Sequence, residues 1–253
     1  MDADGADIIW NQFILGAALA RIARPLLERD EDEIRFCYAD THSGSGRVPA
    51  PHCLDRVLAR RGEFSSSAWF DALGAGSHHP GSWVLAARVA GALRKLAFEA
   101  DINDLDGAVI EAAKGHREGG WTRFWSHDWF TFLRNRLAME PRPNFVFIDP
   151  PPDDPRGPGY AMDAAILLDT LGIPYLVTYS ARSETSPPQD AIDEIGRSGL
   201  ELHGAGMGRG VLLGGGAETV VLDILTDLRH LAGLLGGELL VRLPRAIGDD
   251  YCI

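Results

Sequence analysis

Two short apolar runs in this chain each end in an aspartate, and the residues after each aspartate cannot continue a strand. The first run, residues 36–39, leads into Asp40 and a glycine-containing loop, and the second, residues 145–148, leads into Asp149 and consecutive prolines. Doubly wound α/β domains present their ligand-binding edge in this way, because the carboxyl ends of parallel strands meet there. The two runs therefore predict an α/β fold with both loops at one edge of its sheet.

Helical and strand periodicities alternate along the chain, which indicates successive βα units and a mostly parallel sheet. The apolar runs on either side of residues 206–209 indicate a late hairpin, so the sheet is expected to end in an antiparallel edge. Between residues 48 and 80, two short helical patterns bounded by proline and glycine predict a small helical insertion. Strands are expected at residues 34–39, 96–100, 123–126, 145–148, 174–179, 200–205, 210–213 and 238–243. Helices are expected at residues 7–29, 82–95, 104–116, 128–137, 160–171, 189–198 and 218–235, with Ser82 as an N-cap.

Composition limits the class of protein. With 253 residues and 45% hydrophobic content, the chain can bury one sizeable core, so a single domain over residues 1–253 is expected. Its 36 acidic and 24 basic side chains give a net charge of -12, which disfavours a broad nucleic-acid interface, although Arg56, Arg60 and Arg61 form a local basic cluster. The three cysteines lack metal-type spacing, and their odd number disfavours a disulfide framework. No signal peptide or membrane-length apolar run is evident, so we expect a soluble cytoplasmic protein.

The loop after Asp40 contains Gly44 and Gly46, which can adopt backbone angles closed to other residues and can approach a ligand without a Cβ atom. Asp40 stands at the strand end, where its carboxylate can orient the loop or accept a hydrogen bond from a ligand ammonium group. A plain tight turn would contain the same glycine pair. The pattern favours a nucleoside-binding loop when further carboxylates follow the neighbouring strands.

Two aspartates stand at such places. Asp101 follows the strand expected at residues 96–100, where a carboxylate can accept hydrogen bonds from both ribose hydroxyls of a nucleoside. Asp128 follows the next expected strand and can meet the adenine amine. Each has an alternative role as the cap of the helix that follows it. The two aspartates together therefore predict a nucleoside site, with helix capping as the competing interpretation.

The order of these motifs resembles the RlmJ-type adenine-N6 methyltransferases, which act on 23S ribosomal RNA. The resemblance extends from about residue 11 to residue 245 and rests on residues 40–47 (DTHSGSGR), 61–64, 80–82, Asp101, Asp128 and 149–151. It implies a Rossmann-like class I fold that uses S-adenosyl-L-methionine (SAM), with a small helical insertion after the glycine loop. It also implies a cofactor site formed by Asp40, His42, Gly44, Gly46, Ser82, Asp101 and Asp128, and catalytic roles for Asp149 and Pro150.

The proline loop has its own chemical logic. In the Asp-Pro-Pro-aromatic motif of amino methyltransferases, the acid and a backbone carbonyl accept hydrogen bonds from the target amine and hold its lone pair toward the methyl group. Proline keeps that carbonyl aimed, and the aromatic residue stacks on the flipped base. Here Pro152 occupies the aromatic position, and Trp83, Trp129 and Tyr160 are possible substitutes.

The N-terminal segment, residues 6–16, lacks the histidines and the lysine that the RlmJ type carries there. Motifs on the cofactor side are thus kept while motifs on the acceptor side are altered. This contrast predicts either a different methyl acceptor or a loss of catalysis.

Two other polar patterns indicate structure rather than chemistry. The adjacent side chains of His78 and His79 diverge and have no metal-type companions, so no metal site is expected. Residues 214–216 lack the Lys-Ser/Thr pair of a phosphate-binding loop, which indicates a turn.

Three functions fit the sequence. The first is an active amino methyltransferase whose acceptor is RNA or a smaller amine-bearing molecule. The second is a catalytically inactive SAM-fold protein that binds a protein partner. The third is a nucleotide-dependent dehydrogenase, whose G-x-G-x-x-G fingerprint is not matched because Gly46 is followed by Arg47, Val48 and Pro49. The intact Asp149 favours the first function over the second.

Overall fold

The computed structural model describes residues 5–74, 78–116, 120–151, 157–181, 189–204 and 207–244. Within this part of the chain, eight strands form one sheet and two very short strands form a second. The strands are β1 Ile34–Asp40, β2 Arg47–Val48, β3 His79–Pro80, β4 Leu96–Asn103, β5 Trp121–Trp125, β6 Phe145–Ile148, β7 Tyr175–Ser180, β8 Gly199–Gly204, β9 Met207–Gly214 and β10 Glu238–Arg242.

The large sheet has the order β10-β8-β9-β7-β6-β1-β4-β5. Its centre is parallel, from β7 through β6, β1 and β4 to β5. On the other side, β9 runs antiparallel to both of its neighbours, and β10 runs antiparallel to β8. The prediction of a Rossmann-like, mostly parallel sheet with an antiparallel edge hairpin is therefore confirmed.

The chain leaves β1 toward β4 and β5 and then returns to place β6 on the opposite side of β1. The strand order thus reverses between β1 and β6, and open α/β sheets bind ligands in the crevice at such a switch point. Asp40 and Asp149, the aspartates at the ends of these two strands, flank that crevice.

The part of the chain that the structure describes contains nine α-helices. They are α1 Ala6–Ala23, α2 Leu54–Leu58, α3 Ala68–Leu73, α4 Ser82–Gly91, α5 Gly107–Ala113, α6 Trp129–Leu137, α7 Gly157–Leu171, α8 Gln189–Ile195 and α9 Val221–Leu234. Most of α1 is buried, and it packs against α3, α4 and α9. None of these described helices is both long and apolar enough to cross a membrane.

The segment between β1 and α4 leaves the glycine loop and returns to it. β2 pairs antiparallel with β3, and the Gly81 amide donates a hydrogen bond to the Gly46 carbonyl at 2.8 Å. Between these two strands lie α2, a short 3-10 turn and α3, as the helical patterns of residues 48–80 predict. Because the segment closes on itself, the start of α4 lies beside the glycine loop.

Candidate functional site

The loop after β1 is fastened to the strands on both sides of it. The Thr41 amide donates to the Phe147 carbonyl of β6 at 3.1 Å, and the Ser43 amide donates to the Asn103 carbonyl of β4 at 2.9 Å. Each bond joins the loop to the carboxyl end of a neighbouring strand. The loop therefore holds a defined shape at the crevice between β1, β4 and β6.

Asp40 lies beneath this loop and is fully buried. Its carboxylate accepts hydrogen bonds from Ser82 Oγ at 2.6 Å, Tyr38 OH at 3.0 Å and the His42 amide at 3.1 Å. Burial raises the pKa of Asp40 to about 7, although the three hydrogen bonds favour the ionised form and oppose this rise. The sequence allowed Asp40 either to orient the loop or to accept a hydrogen bond from a ligand ammonium group. Its buried position and its three partners fit the first role.

The two glycines of the loop differ in their surroundings. Both have positive φ, 59° at Gly44 and 83° at Gly46. A Cβ on Gly46 would come within 2.8 Å of the Trp83 ring, whereas a Cβ on Gly44 would have no other atom within 4 Å. Gly46 is thus required for packing behind the loop, and Gly44 borders open space in front of it.

Asp101 lies inside β4, where three donors surround its carboxylate. Arg123 Nη2 and Arg136 Nε each approach it at 2.6 Å, and Trp125 Nε1 donates at 3.0 Å. Burial alone would raise the pKa of Asp101, but the hydrogen bonds and the two guanidinium groups hold it below its usual value. The expected strand end at residue 100 was wrong, because β4 continues to Asn103 and Asp101 consequently belongs to a buried ion network.

Asp104 is the carboxylate at the actual end of β4. It is partly exposed, and its Oδ2 accepts a hydrogen bond from the Gly44 amide at 3.2 Å. Before it, Asn103 donates to the carbonyls of Thr41 and His127 at 3.1 and 3.0 Å and so joins three strand ends. Sequence reasoning missed both residues, although a polar pair that ends an apolar strand was a signal that could have found them.

Asp128 and Ser82 were both candidate helix caps, and the structure confirms this role for Asp128 only. Asp128 caps α6, since its carboxylate accepts a hydrogen bond from the Thr131 amide at 3.0 Å. This is the alternative role foreseen for it, and the side chain stays partly exposed. Ser82 is not an N-cap: Gly81 takes that position, because the Ser82 hydroxyl is bound to Asp40.

Aromatic side chains gather beside the loop. The His42 ring lies 5.4 Å from the Trp129 ring, and Trp129 packs edge-on against Tyr160 at 6.1 Å. Phe130 stacks on Tyr160 with ring centroids 4.9 Å apart. Trp83, by contrast, is 1% exposed and packs under the loop, so it presents no stacking surface.

Asp149 is held by two side chains that the sequence did not associate with it. Its Oδ1 accepts hydrogen bonds from the Thr178 hydroxyl and from Arg209 Nη2, and that nitrogen also donates to Thr178 Oγ1 at 2.7 Å. Its Oδ2 has no partner among the described residues. Pro150 is buried behind the carboxylate, and Pro152 lies outside the described residues.

His79 is structural. It is 3% exposed, and its Nε2 lies 2.6 Å from Gln12 Oε1, while Gln12 Nε2 donates to the Pro80 carbonyl at 2.8 Å. Burial, assisted by the charge of Arg88, lowers the pKa of His79 to about 4. Across the described residues, no group of three or more histidine, cysteine, aspartate or glutamate side chains can hold a metal ion.

No family model matches the chain, and no curated protein matches it. Among solved structures, protein LPL1258 from Legionella pneumophila, of the DUF519 family, is 18% identical, with a TM-score of 0.66, and the alignment covers 97% of this chain and 99% of that one. A putative class I SAM-dependent methyltransferase from Listeria monocytogenes is 10% identical, with a TM-score of 0.43 and coverage of 87% and 70%. The putative methyltransferase YhhF from Escherichia coli is 18% identical, with a TM-score of 0.39 and coverage of 79% and 83%.

The chain has a Rossmann-like α/β fold, with a mostly parallel eight-stranded sheet and helices on both faces. The Legionella protein shares this architecture over nearly its whole length. The two methyltransferases superpose too loosely to support an argument about chemistry. The function must therefore be argued from the side chains at the crevice.

Proposed function

We propose that this protein is a SAM-dependent methyltransferase that transfers the methyl group to an amino nitrogen. The observation that carries the proposal is the loop of residues 41–46, which is locked by Asp40, open at Gly44 and placed at the strand switch point beside the Asp104 carboxylate. The resemblance of residues 40–47 to the RlmJ type supports the same assignment.

The residues at the crevice fit this cofactor. Gly44 leaves room for a ligand to approach the backbone, and Asp104 is a partly exposed carboxylate at the end of the strand next to β1. A carboxylate at this place can accept hydrogen bonds from both ribose hydroxyls. We therefore assign the ribose contact to Asp104 rather than Asp101, and keep His42 and Asp128 as further residues of the cofactor site.

The cofactor supplies a methyl group on a sulfonium centre. Asp149 accepts a hydrogen bond from the acceptor amine through its unpartnered Oδ2, which holds the nitrogen lone pair toward that methyl group. Thr178 and Arg209 fix Oδ1, so the carboxylate does not need to reorient when the acceptor binds. Tyr160, which is partly exposed and stacks on Phe130, provides the aromatic surface that Pro152 cannot provide.

A second candidate function is a catalytically inactive SAM-fold protein that binds a partner. The observation that favours it is the ion pair between Asp149 and Arg209, which offsets the carboxylate charge in the position expected to receive an acceptor. Because Arg209 and Thr178 occupy Oδ1, an acceptor amine has only Oδ2 of this carboxylate to bind, and the charge on that oxygen is reduced by the ion pair.

Side-by-side calorimetric titrations with SAM, S-adenosylhomocysteine and NAD test the proposal. We expect both adenosyl ligands to bind in the micromolar range, about -8 kcal/mol, and NAD not to bind. NAD binding without SAM binding would assign the site to a dehydrogenase. Absence of heat with every ligand, from protein shown to be folded, would remove the proposed function.

A further inference from the structure

We propose that Arg209 forms an anion-binding subsite beside Asp149, so that the acceptor of this enzyme carries a carboxylate or phosphate group next to its amine. The class of acceptor rests on the proposed function, whereas the subsite rests on the geometry of Arg209. Arg209 lies on β9, two strands away from β6, and reaches Asp149 across Thr178 of β7.

The guanidinium group of Arg209 uses only one of its three nitrogens. Nη2 donates to Asp149 and Thr178, whereas Nε and Nη1 have no hydrogen-bond partner in the part of the chain that the structure describes. The Nε atom is also buried, so its N–H is a buried donor without an acceptor, which is unfavourable. Nη1 is unpartnered but not buried, so a ligand oxygen can meet its N–H groups.

Charge determines which ligand oxygen fits. Arginine stays protonated at all physiological pH values, and its N–H groups form charge-assisted hydrogen bonds with carboxylate and phosphate oxygens. Because Asp149 and Thr178 take up only the two protons of Nη2, Nη1 keeps both of its protons for an oxygen of a second anion. The side chain is 12% exposed, and that of Asp149 is 32% exposed, so a ligand can reach both groups from the crevice.

Asp149 and Arg209 together leave one free acceptor and free donors, which can bind two different groups of one small molecule. The amine of the acceptor donates to the unpartnered Oδ2 of Asp149, and its anionic group accepts from Arg209. The overall charge of -12 repels polyanions, which favours a small acceptor with one such group over a nucleic acid. An acceptor without an anionic group would leave the spare donors of Arg209 unpaired.

Nuclear magnetic resonance of the arginine Nε–H groups tests the subsite in the full chain. Inorganic phosphate and acetate are titrated separately, and each is expected to shift the Arg209 Nε–H signal saturably at millimolar concentration. A response to acetate alone identifies a carboxylate subsite, and a response to phosphate alone identifies a phosphate subsite. No saturable shift with either anion would overturn the proposal.

Two variants and one control fix the origin of the shift. Arg209→Gln should abolish the response of the neighbouring Gly208 and Gly210 amides. Arg209→Lys, which keeps the charge but has one nitrogen instead of three, should weaken it at least about tenfold. Arg242→Gln removes an arginine that is paired with Glu201 on the same sheet and should leave the response unchanged. If those amides respond in Arg209→Gln as they do in the wild type, the subsite is contradicted. If that variant does not fold, the wild-type titration alone decides the test.

S-adenosylhomocysteine is titrated into the same samples. Anion binding without S-adenosylhomocysteine binding would reject the proposed function and keep the subsite. Binding of S-adenosylhomocysteine without an anion response would reject the subsite and keep the proposed function.

Discussion

Asp101 and Asp104 stand three residues apart, yet they differ in the groups around them. We predict that Asp104→Ala weakens SAM binding by about tenfold, because a charged acceptor for the ribose hydroxyls is lost, and leaves stability nearly unchanged. Asp101→Ala should instead lower the free energy of unfolding by about 3–5 kcal/mol, because Arg136, only 1% exposed, loses its carboxylate partner.

Calorimetry with SAM and urea denaturation of both variants check this prediction. If Asp101→Ala weakens binding at full stability and Asp104→Ala does not, the ribose contact belongs to Asp101 after all.

Asp149 offers a substitution that separates its two oxygens. Asp149→Asn keeps one oxygen to accept from Thr178 and Arg209 but places an amide nitrogen at the other position, where it cannot accept from an amine. We expect SAM affinity to stay within about twofold, since Asp149 acts on the acceptor, and turnover to fall at least about 100-fold.

The matched control is Asp163→Asn, which changes an exposed aspartate on α7 and should alter neither quantity. Turnover at the wild-type rate in Asp149→Asn, measured on an identified acceptor, would refute the assigned role.

Single residues also show which parts of the candidate site could be predicted from the sequence. It placed Asp40, Gly44 and Asp149 at the carboxyl edge of the sheet, because an apolar run followed by strand-breaking residues is a local pattern. It could not reveal Arg209, which meets Asp149 only because β9 inserts next to β7. A contact between residues 60 positions apart depends on strand order, which periodicity does not encode.

At the scale of the loop, we predict that one glycine substitution lowers stability and that a similar one lowers SAM affinity. Gly46→Ala should destabilise the protein by more than about 2 kcal/mol, because a left-handed backbone and a clash with the Trp83 ring act together. Gly44→Ala should cost only about 1 kcal/mol but should weaken SAM binding, since its methyl group enters the open space in front of the loop.

Thermal unfolding and calorimetry on the two variants check this pair. A stable Gly46→Ala variant would contradict the clash with Trp83, and unchanged SAM affinity in Gly44→Ala would place the cofactor elsewhere.

The elements were predicted in the right order, but several boundaries differ. The helix expected at residues 7–29 ends at Ala23, and a 3-10 turn follows because Pro25 cannot continue an α-helix. β4 runs past its expected end to Asn103, whose side-chain amide bonds to the loops after β1 and β5. Local propensity does not register such tertiary bonds, which explains why the end of β4 was missed.

At the scale of the whole molecule, His79 makes stability depend on pH. Its folded-state pKa of about 4 lies below the ordinary value of 6.5. Between these two pH values, the unfolded chain binds a proton at His79 and the folded chain does not. Its contribution is complete above about pH 6.5 and is lost as the pH falls toward 4, by up to about 3 kcal/mol. Asp40, with its raised pKa, acts in the opposite direction over the same range.

Urea unfolding of the wild type and His79→Gln at pH 7 and pH 4.5 isolates this contribution, because Asp40 is present in both. We expect a smaller loss of stability on acidification in His79→Gln. Equal losses in the two proteins would show that His79 is not buried in its neutral form.

The charge of the whole chain leads to a prediction about RNA. The net charge is -12, and within the local basic cluster Arg60 and Arg61 are already paired with Glu63 and Asp71. Because attraction to phosphates dominates nucleic-acid affinity, we expect little methyl transfer to protein-free 23S ribosomal RNA. The assay combines the protein, labelled SAM and unmodified RNA at low and moderate salt, and efficient labelling of one adenine at both salts would contradict the prediction.

The burial of α1 has a consequence for synthesis on the ribosome. Part of the apolar surface of this helix is covered by α9, which is translated about 200 residues later. At a translation rate of roughly 5–20 residues per second, this surface of α1 stays uncovered for about 10–40 s. We therefore expect α1 to be available during translation to chaperones that recognise apolar segments, until α9 has been synthesised and has packed against it.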